Sequence, residues 1–173
     1  MRMIVQIICM TKNIASIRKE YSIKQLDQKD VRRNPFDQFK VWFDDAINAE
    51  VNEPNAMMLA TSSLEGKPSA RMVLLKGFDN EGLTFFTNYS SRKASQLNSN
   101  PYAAIVFFWP ELERQIRIEG IVKKVTERES DDYFDSRPEG SRIGAWTSPQ
   151  SQVIPNREFL ELLRAEIEKR FKG

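Results

Sequence analysis

Residues 71 to 101 read RMVLLKGFDNEGLTFFTNYSSRKASQLNSNP. Two apolar runs flank Asp79-Asn80-Glu81-Gly82, a short hairpin signal in which Gly can take positive φ. After Phe85-Phe86-Thr87, Ser90 and Ser91 are good N-cap residues, and Arg92-Lys93 follow in the first turn of a helix. A helix N-terminus favours anions, so two cations there conflict with the local dipole. A bound phosphate resolves the conflict, because backbone N–H groups, hydroxyls and cations then converge on one anion. The same residues also describe a solvated basic helix end.

Working outward, the pattern is strand-rich. Residues 57–62 and 69–76 read as strands joined by a turn at Leu64-Glu65-Gly66-Lys67, and 83–87 as a third. Residues 102–109 form a fourth run, so apolar that burial on both faces is expected. In residues 114–125, Ile116 and Ile118 alternate with Gln115, Arg117 and Glu119, and Gly120 is a candidate bulge. Closely spaced antiparallel strands with Gly turns point to a small barrel with flanking helices. Asn34-Pro35 opens an amphipathic helix over 35–50 with Phe36, Phe39, Phe43 and Ile47 as its core stripe. Thr126 to Glu129 is a capping box for a helix carrying Tyr133, Phe134 and Arg137. Residues 148–155 read as loop. Asn156 caps a last helix whose stripe is Phe159, Leu160, Leu163, Ile167 and Phe171, with Gly173 as its stop. Residues 13–33 are polar and read as a helix followed by a mobile arm. The expected division is an extension and arm over 1–33 and one domain over 34–173.

Composition removes much chemistry. The 173 residues suit one core, and 26 Lys+Arg against 24 Asp+Glu leave a net charge of only +2. That balance argues against nucleic acid or a membrane surface as the main partner. There is no histidine, and Cys9 is the single cysteine. His-based triads, His-ligated zinc, disulfides within the chain and Cys-rich metal sites are excluded. No metal is expected, no side chain is nominated as catalytic, and a bound cofactor carries any hard chemistry. The apolar run Ile4 to Cys9 is too short to span a membrane and lacks a cleavage site, so residues 1–9 read as an extension and the cytoplasm is the expected location.

Two polar sets remain. Arg71, Lys76, Ser91, Arg92, Lys93 and Gln115 form the first. Arg71 and Lys76 have opposite parity in a regular strand, so both face one site only if the strand ends or bulges near Lys76. Tyr133, Arg137 and Ser141 form the second, with the Arg18 to Tyr21 arm as a candidate addition. Arg137 can equally neutralise a helix C-terminus. Two phosphate-sized sets suggest two phosphorylated ligands, which composition does not identify.

Five segments make the pattern specific: IRKEY at 17–21, RMVLLK at 71–76, FFTNYSSRK at 85–93, ERQIRIEG at 113–120 and YFDSRPEGSRIGAWTSPQS at 133–151. In order and spacing the chain resembles the pyridoxamine 5′-phosphate oxidase family. That resemblance implies a homodimeric split β-barrel with FMN at the dimer interface. It implies FMN contacts at Arg71, Met72, Val73, Leu74, Leu75 and Lys76, and at Phe86, Thr87, Ser91, Arg92, Lys93, Gln115, Gln150 and Ser151. It implies substrate contacts at Lys76, Tyr133, Arg137 and Ser141, with Arg18, Lys19, Glu20 and Tyr21 closing over the substrate. The implied reaction oxidises pyridoxamine or pyridoxine 5′-phosphate to pyridoxal 5′-phosphate with O₂ as acceptor. Family members continue through WGG-like, EFWQ-like and RLHDR-like segments that have no counterpart before Gly173. An incomplete barrel with an unpaired strand edge is therefore expected. An inactive FMN- or pyridoxal-phosphate-binding remnant is the first alternative. Another FMN split-barrel oxidoreductase, such as a flavin reductase, is the second, and Tyr133, Arg137 and Ser141 argue against it.

Overall fold

A computed structural model describes residues 16–23 and 25–171. The expectations for the Ile4–Cys9 run and for Gly173 lie outside them. Asn34 accepts the Phe36 N–H at 2.8 Å and Pro35 occupies the first turn, which starts α1 (Pro35–Asn48). Strands β1 (Ala56–Ser62) and β2 (Pro68–Leu74) form a hairpin whose turn uses Gly66 at φ 77. A two-stranded ribbon follows, β3 (Gly77–Phe78) with β4 (Leu83–Thr84), and then α2 (Arg92–Ser99). β5 (Tyr102–Trp109) and β6 (Arg114–Ile121) complete an antiparallel sheet of order β2-β1-β5-β6. Three helices close the described chain: α3 (Glu127–Ser136), α4 (Glu139–Thr147) and α5 (Arg157–Phe171). The layout is that of an antiparallel split barrel with flanking helices, and no closed ring of paired strands occurs among the described residues.

The core lies between α1 and the inner face of the sheet. Phe39, Met57, Phe107, Trp109 and Ile116 are buried there. Phe39 meets Phe78 edge-on at 5.0 Å and Phe107 at 5.2 Å. Each such ring contributes about 1.5–3 kcal/mol on full burial. Trp109 Nε1 donates to the Pro54 carbonyl at 3.0 Å, so its one polar atom is satisfied. Arg114 ties β6 to α1 by donating to Asp45 at 3.1 Å while lying over the Trp42 ring.

Several expectations are corrected. No α-helix forms among the described residues before Asn34; a 3₁₀ turn occurs at Gln28–Asp30. Ile17, Tyr21 and Leu26 stay exposed, so a helix there has no packed face to support it. Ile47 is 51% exposed and Ala46 is buried in its place, a small rotation of the expected stripe. Gly82 does not take positive φ; the Asp79 carboxylate instead accepts the Glu81 and Gly82 N–H groups and closes the turn. β5 is not buried on both faces, since Tyr102 and Phe108 are 66% and 59% exposed. The β5–β6 register runs unbroken past Gly120, so no bulge forms, and β6 stops at Ile121. In α5, Ile167 is buried while Phe159 and Phe171 are exposed. The capping box at Thr126 and the Asn156 cap are present as expected.

Candidate functional site

β2 ends at Leu74, and this resolves the parity of its two cations. Arg71 keeps its place on the inner face, and Lys76 lies beyond the strand, with its N–H donating to the Thr84 carbonyl at 2.8 Å. Both line one cavity of about 950 Å³. Ser91 caps α2, which sets Arg92 and Lys93 at the same cavity. The turn from α3 into α4 brings Tyr133, Arg137 and Ser141 to the same cavity, and the loop after α4 adds Gln150 and Ser151. Ser151 has φ 67, a left-handed backbone uncommon for a non-glycine residue.

Charge defines the cavity. Arg71, Lys76, Arg92, Lys93 and Arg137 line it, and no Asp or Glu does. Among the described residues none of the five is within 4.0 Å of a carboxylate oxygen. Lys93 Nζ donates to neutral oxygens instead: Gln150 Oε1 at 2.8 Å, Thr87 Oγ1 at 3.0 Å and Ser91 Oγ at 3.4 Å. Burial, and then the nearby Arg71 charge, hold the Lys93 ammonium below its ordinary pKa. Burial, and then Arg92, do the same to Arg71. Unpaired, mutually repelling cations in one cavity are complementary to a polyanion such as a phosphate monoester. Beside them the Phe86 and Tyr133 rings stack at 3.8 Å, with Lys76 Nζ 6.0 Å from the Tyr133 centroid. The cavity therefore offers a flat aromatic wall next to a cationic one, which suits a planar phosphorylated ligand.

Met72, Val73, Leu74, Phe86 and Thr87 also line this cavity. Leu75 does not; it is buried in the core. Ser91 is fully buried behind Lys93. Gln115 pairs with Phe108 on the outer face of the sheet, away from the cavity of its own chain. The arm residues Arg18, Lys19, Glu20 and Tyr21 do not line the cavity either. Lys19 instead pairs with Glu113 at 3.1 Å, and the same carboxylate accepts the Ser22 and Ile23 N–H groups. Ser69, Thr61 and Gln96 were not singled out from the sequence, yet they form the polar floor under Arg71. Ser69 was within reach, two residues before Arg71 on the same strand face. Gln96 stands one helical turn beyond Lys93 and carries no comparable signal.

A family model described as pyridoxamine 5′-phosphate oxidase matches residues 43–171. The chain belongs to the pyridoxamine 5′-phosphate oxidase family. A relative from Nostoc punctiforme (strain ATCC 29133 / PCC 73102), named pyridoxine/pyridoxamine 5′-phosphate oxidase, is 56% identical over 164 residues, covering 95% of this chain and 77% of that protein. One of the same name from Polynucleobacter asymbioticus is 57% identical over 161 residues, covering 93% of this chain and 74% of its own length. Among solved structures, PhzG from Burkholderia lata 383, in complex with tetrahydrophenazine-1-carboxylic acid, aligns with a TM-score of 0.81 at 29% identity, covering 87% of this chain and 75% of that one. An FMN-binding, pyridoxamine 5′-phosphate oxidase-related protein from Nostoc punctiforme PCC 73102 shares the fold at a TM-score of 0.58 and 20% identity, covering 76% of this chain and 73% of that one. Family membership makes the chain oxidoreductase-like. No helix among the described residues is long and apolar enough to cross a membrane.

Proposed function

We propose that the cavity binds FMN and that the chain oxidises pyridoxamine or pyridoxine 5′-phosphate to pyridoxal 5′-phosphate. The observation that carries this reading is the cavity lined by five cations, without a carboxylate, beside a stacked aromatic pair. Arg71, Arg92 and Lys93 would hold the cofactor phosphate, with Thr87, Gln150 and Ser151 as polar neighbours. Arg137 and Ser141 would hold the substrate phosphate. Tyr133 would lie along the vitamin ring, and Lys76, between the two groups, would contact both.

When bound, FMN would accept a hydride from substrate C4′ and pass the electrons to O₂, giving hydrogen peroxide; with the amine substrate, water enters and ammonia leaves. The chain's own residues supply position. The two groups of cations would fix both phosphates and so set the distance between the reacting rings, which is worth several orders of magnitude in rate. The Phe86–Tyr133 stack would shield one side of the bound ligands from water. A second copy is part of the reading: Met58, Met72, Leu74, Tyr102 and Phe108 expose an apolar outer sheet face, and Gln115 shares that face with them. A homodimer through this face would bring Gln115 to a neighbouring copy's cofactor. The enzyme reading needs no nucleic acid and no membrane, and it places the chain in the cytoplasm.

The test is direct. The purified chain is expected to be yellow, or to become yellow with FMN, and to sediment as a dimer. Pyridoxamine 5′-phosphate added under air is expected to yield pyridoxal 5′-phosphate and peroxide in equal amounts. A yellow dimer without turnover leaves a binding protein and removes the oxidase. Turnover of an aromatic carboxylate like the PhzG ligand, with none of the vitamin phosphate, redirects the substrate assignment. A folded chain that binds no FMN removes the cofactor.

A further inference from the structure

The floor of the cavity contains a hydrogen-bond relay whose direction is fixed by chemistry. Arg71 Nη1 donates to Thr61 Oγ1 at 2.7 Å and to the Leu59 carbonyl at 3.1 Å, and Nη2 donates to Ser69 Oγ. A guanidinium is a donor only. Each hydroxyl must therefore accept from Arg71, which leaves its single proton for another partner. Both protons find the same one: Gln96 Oε1, at 2.6 Å from Thr61 Oγ1 and 2.6 Å from Ser69 Oγ. Gln96 is 8% exposed and stands on α2, one turn after Arg92 and Lys93. Its amide is thereby oriented, with the oxygen toward the sheet.

We infer that Gln96 is a positioning residue for the phosphate site: through Thr61 and Ser69 it fixes the direction of the Arg71 guanidinium. Three of the five guanidinium N–H groups are used inside the protein. The relay holds the plane in which the other two can meet a phosphate oxygen. It also locks β1 and β2 to the helix whose N-terminus carries Arg92 and Lys93, so the three cations keep one spacing. The residue type matters. An amide oxygen accepts both hydroxyl protons without bringing charge. A carboxylate would accept them equally well but would place a negative charge behind Arg71 and reduce the attraction for an anion.

The inference rests on reading the cavity as the FMN phosphate site, and the experiment separates the two. FMN and riboflavin affinities are measured by flavin fluorescence for the full chain, for R71M, Q96M, Q96E and R71M/Q96M, with thermal unfolding alongside. R71M is expected to weaken FMN by about 10-fold or more, as loss of a charged hydrogen bond implies. Q96M is expected to weaken it about 3- to 10-fold, a partial loss of the same contact. The double variant is expected to match R71M within about 2-fold, because residues that act through one another are not additive. Riboflavin, which lacks the phosphate, is expected to bind all variants alike. Q96E keeps both accepted protons, so it is expected to fold as the parent does while binding FMN more weakly. It carries the test if Q96M fails to fold.

Unchanged FMN affinity in Q96E, or in folded Q96M, together with a weakened R71M overturns the Gln96 role alone. So does a double variant whose loss is the sum of the two singles. Unchanged FMN affinity in R71M overturns the phosphate-site reading and the relay with it.

Discussion

The inner face of the four-stranded sheet has two halves built from opposite chemistry. Over α1 it is apolar, with Met57, Phe107 and Trp109 fully or nearly fully buried. Toward the other end of β1 and β2, Thr61, Ser69 and Arg71 continue the same face, and among the described residues every buried side-chain polar atom has a partner. The apolar half is held by area and packing, which are non-directional and tolerate exchange of similar volumes. The polar half is held by donors and acceptors whose directions are fixed, so substitution there changes what the face can bind before it changes whether it folds. The first half makes the scaffold; the second makes the site.

The strongest way to break that division is to remove Phe107. It is fully buried against Phe39 and Trp109. Phe107→Ala is expected to cost about 3–5 kcal/mol in urea unfolding, by transfer loss plus cavity. The folded fraction is expected to keep its FMN affinity. A stable variant with weak FMN binding would mean that the two halves are coupled more tightly than their chemistry implies.

The reverse substitution acts on the site. Arg92→Ala with Lys93→Ala is expected to lower FMN affinity by about 100-fold or more, at roughly 1.5–3 kcal/mol per charged hydrogen bond lost. Unfolding is expected to shift far less, because losing the Lys93 bonds to Thr87 and Gln150 is offset by relief of repulsion with Arg71. Unchanged FMN affinity would remove both residues from the phosphate site.

How much of this was legible depends on whether local pattern or tertiary contact decides it. Alternation of Ile116 and Ile118 with charged neighbours marked β6, and the Thr126 capping box marked α3, because both signals are local. The hairpin at Asp79 was legible as a turn, but the agent is the Asp79 carboxylate rather than a glycine φ. The described residues before Asn34 misled because helix propensity without a packed apolar face does not hold a helix. The cations were found by type and motif, and their common cavity followed from β2 ending at Leu74. Gln96 was invisible: a lone polar residue in a polar helix acquires meaning only when Thr61 and Ser69 are brought against it from distant strands.

A pH series sharpens the same contrast through Lys93. Its folded-state pKa lies below the ordinary 10.5, so over the window beneath 10.5 the unfolded chain binds more protons than the folded one. Stability contributed by this group therefore rises with pH across that window. Anion binding needs the protonated ammonium, so FMN affinity falls as pH rises through the lowered pKa. Opposite slopes in the cofactor-free chain and in FMN titrations are expected, and Lys93→Met is expected to flatten the local contribution to both. Parallel slopes would show that Lys93 is not the group that senses the anion.

The smallest expected effect lies away from the cavity, at the turn just before β6, where a charge is paired rather than free. Glu113 ends a 3₁₀ turn in left-handed backbone at φ 50, and its side chain is 6% exposed. It accepts the Ser22 N–H at 2.7 Å, the Ile23 N–H at 3.0 Å and Lys19 Nζ at 3.1 Å. The Ile23 N–H above all, with help from Lys19 and Ser22, holds its pKa below the ordinary 4.5. A depressed carboxylate pKa means a contribution that is present above the unfolded value and lost as pH falls through the folded one. Amide protection at Ser22 and Ile23 is therefore expected to fall on acidification below 4.5, while core amides such as that of Phe107 keep theirs. Glu113→Gln is expected to lower that protection at neutral pH and remove its acid dependence, with almost no change in thermal unfolding or FMN affinity. Protection that survives in E113Q would mean that the arm is held by contacts other than this carboxylate, and the contrast between this paired charge and the unpaired cavity would lose one of its terms.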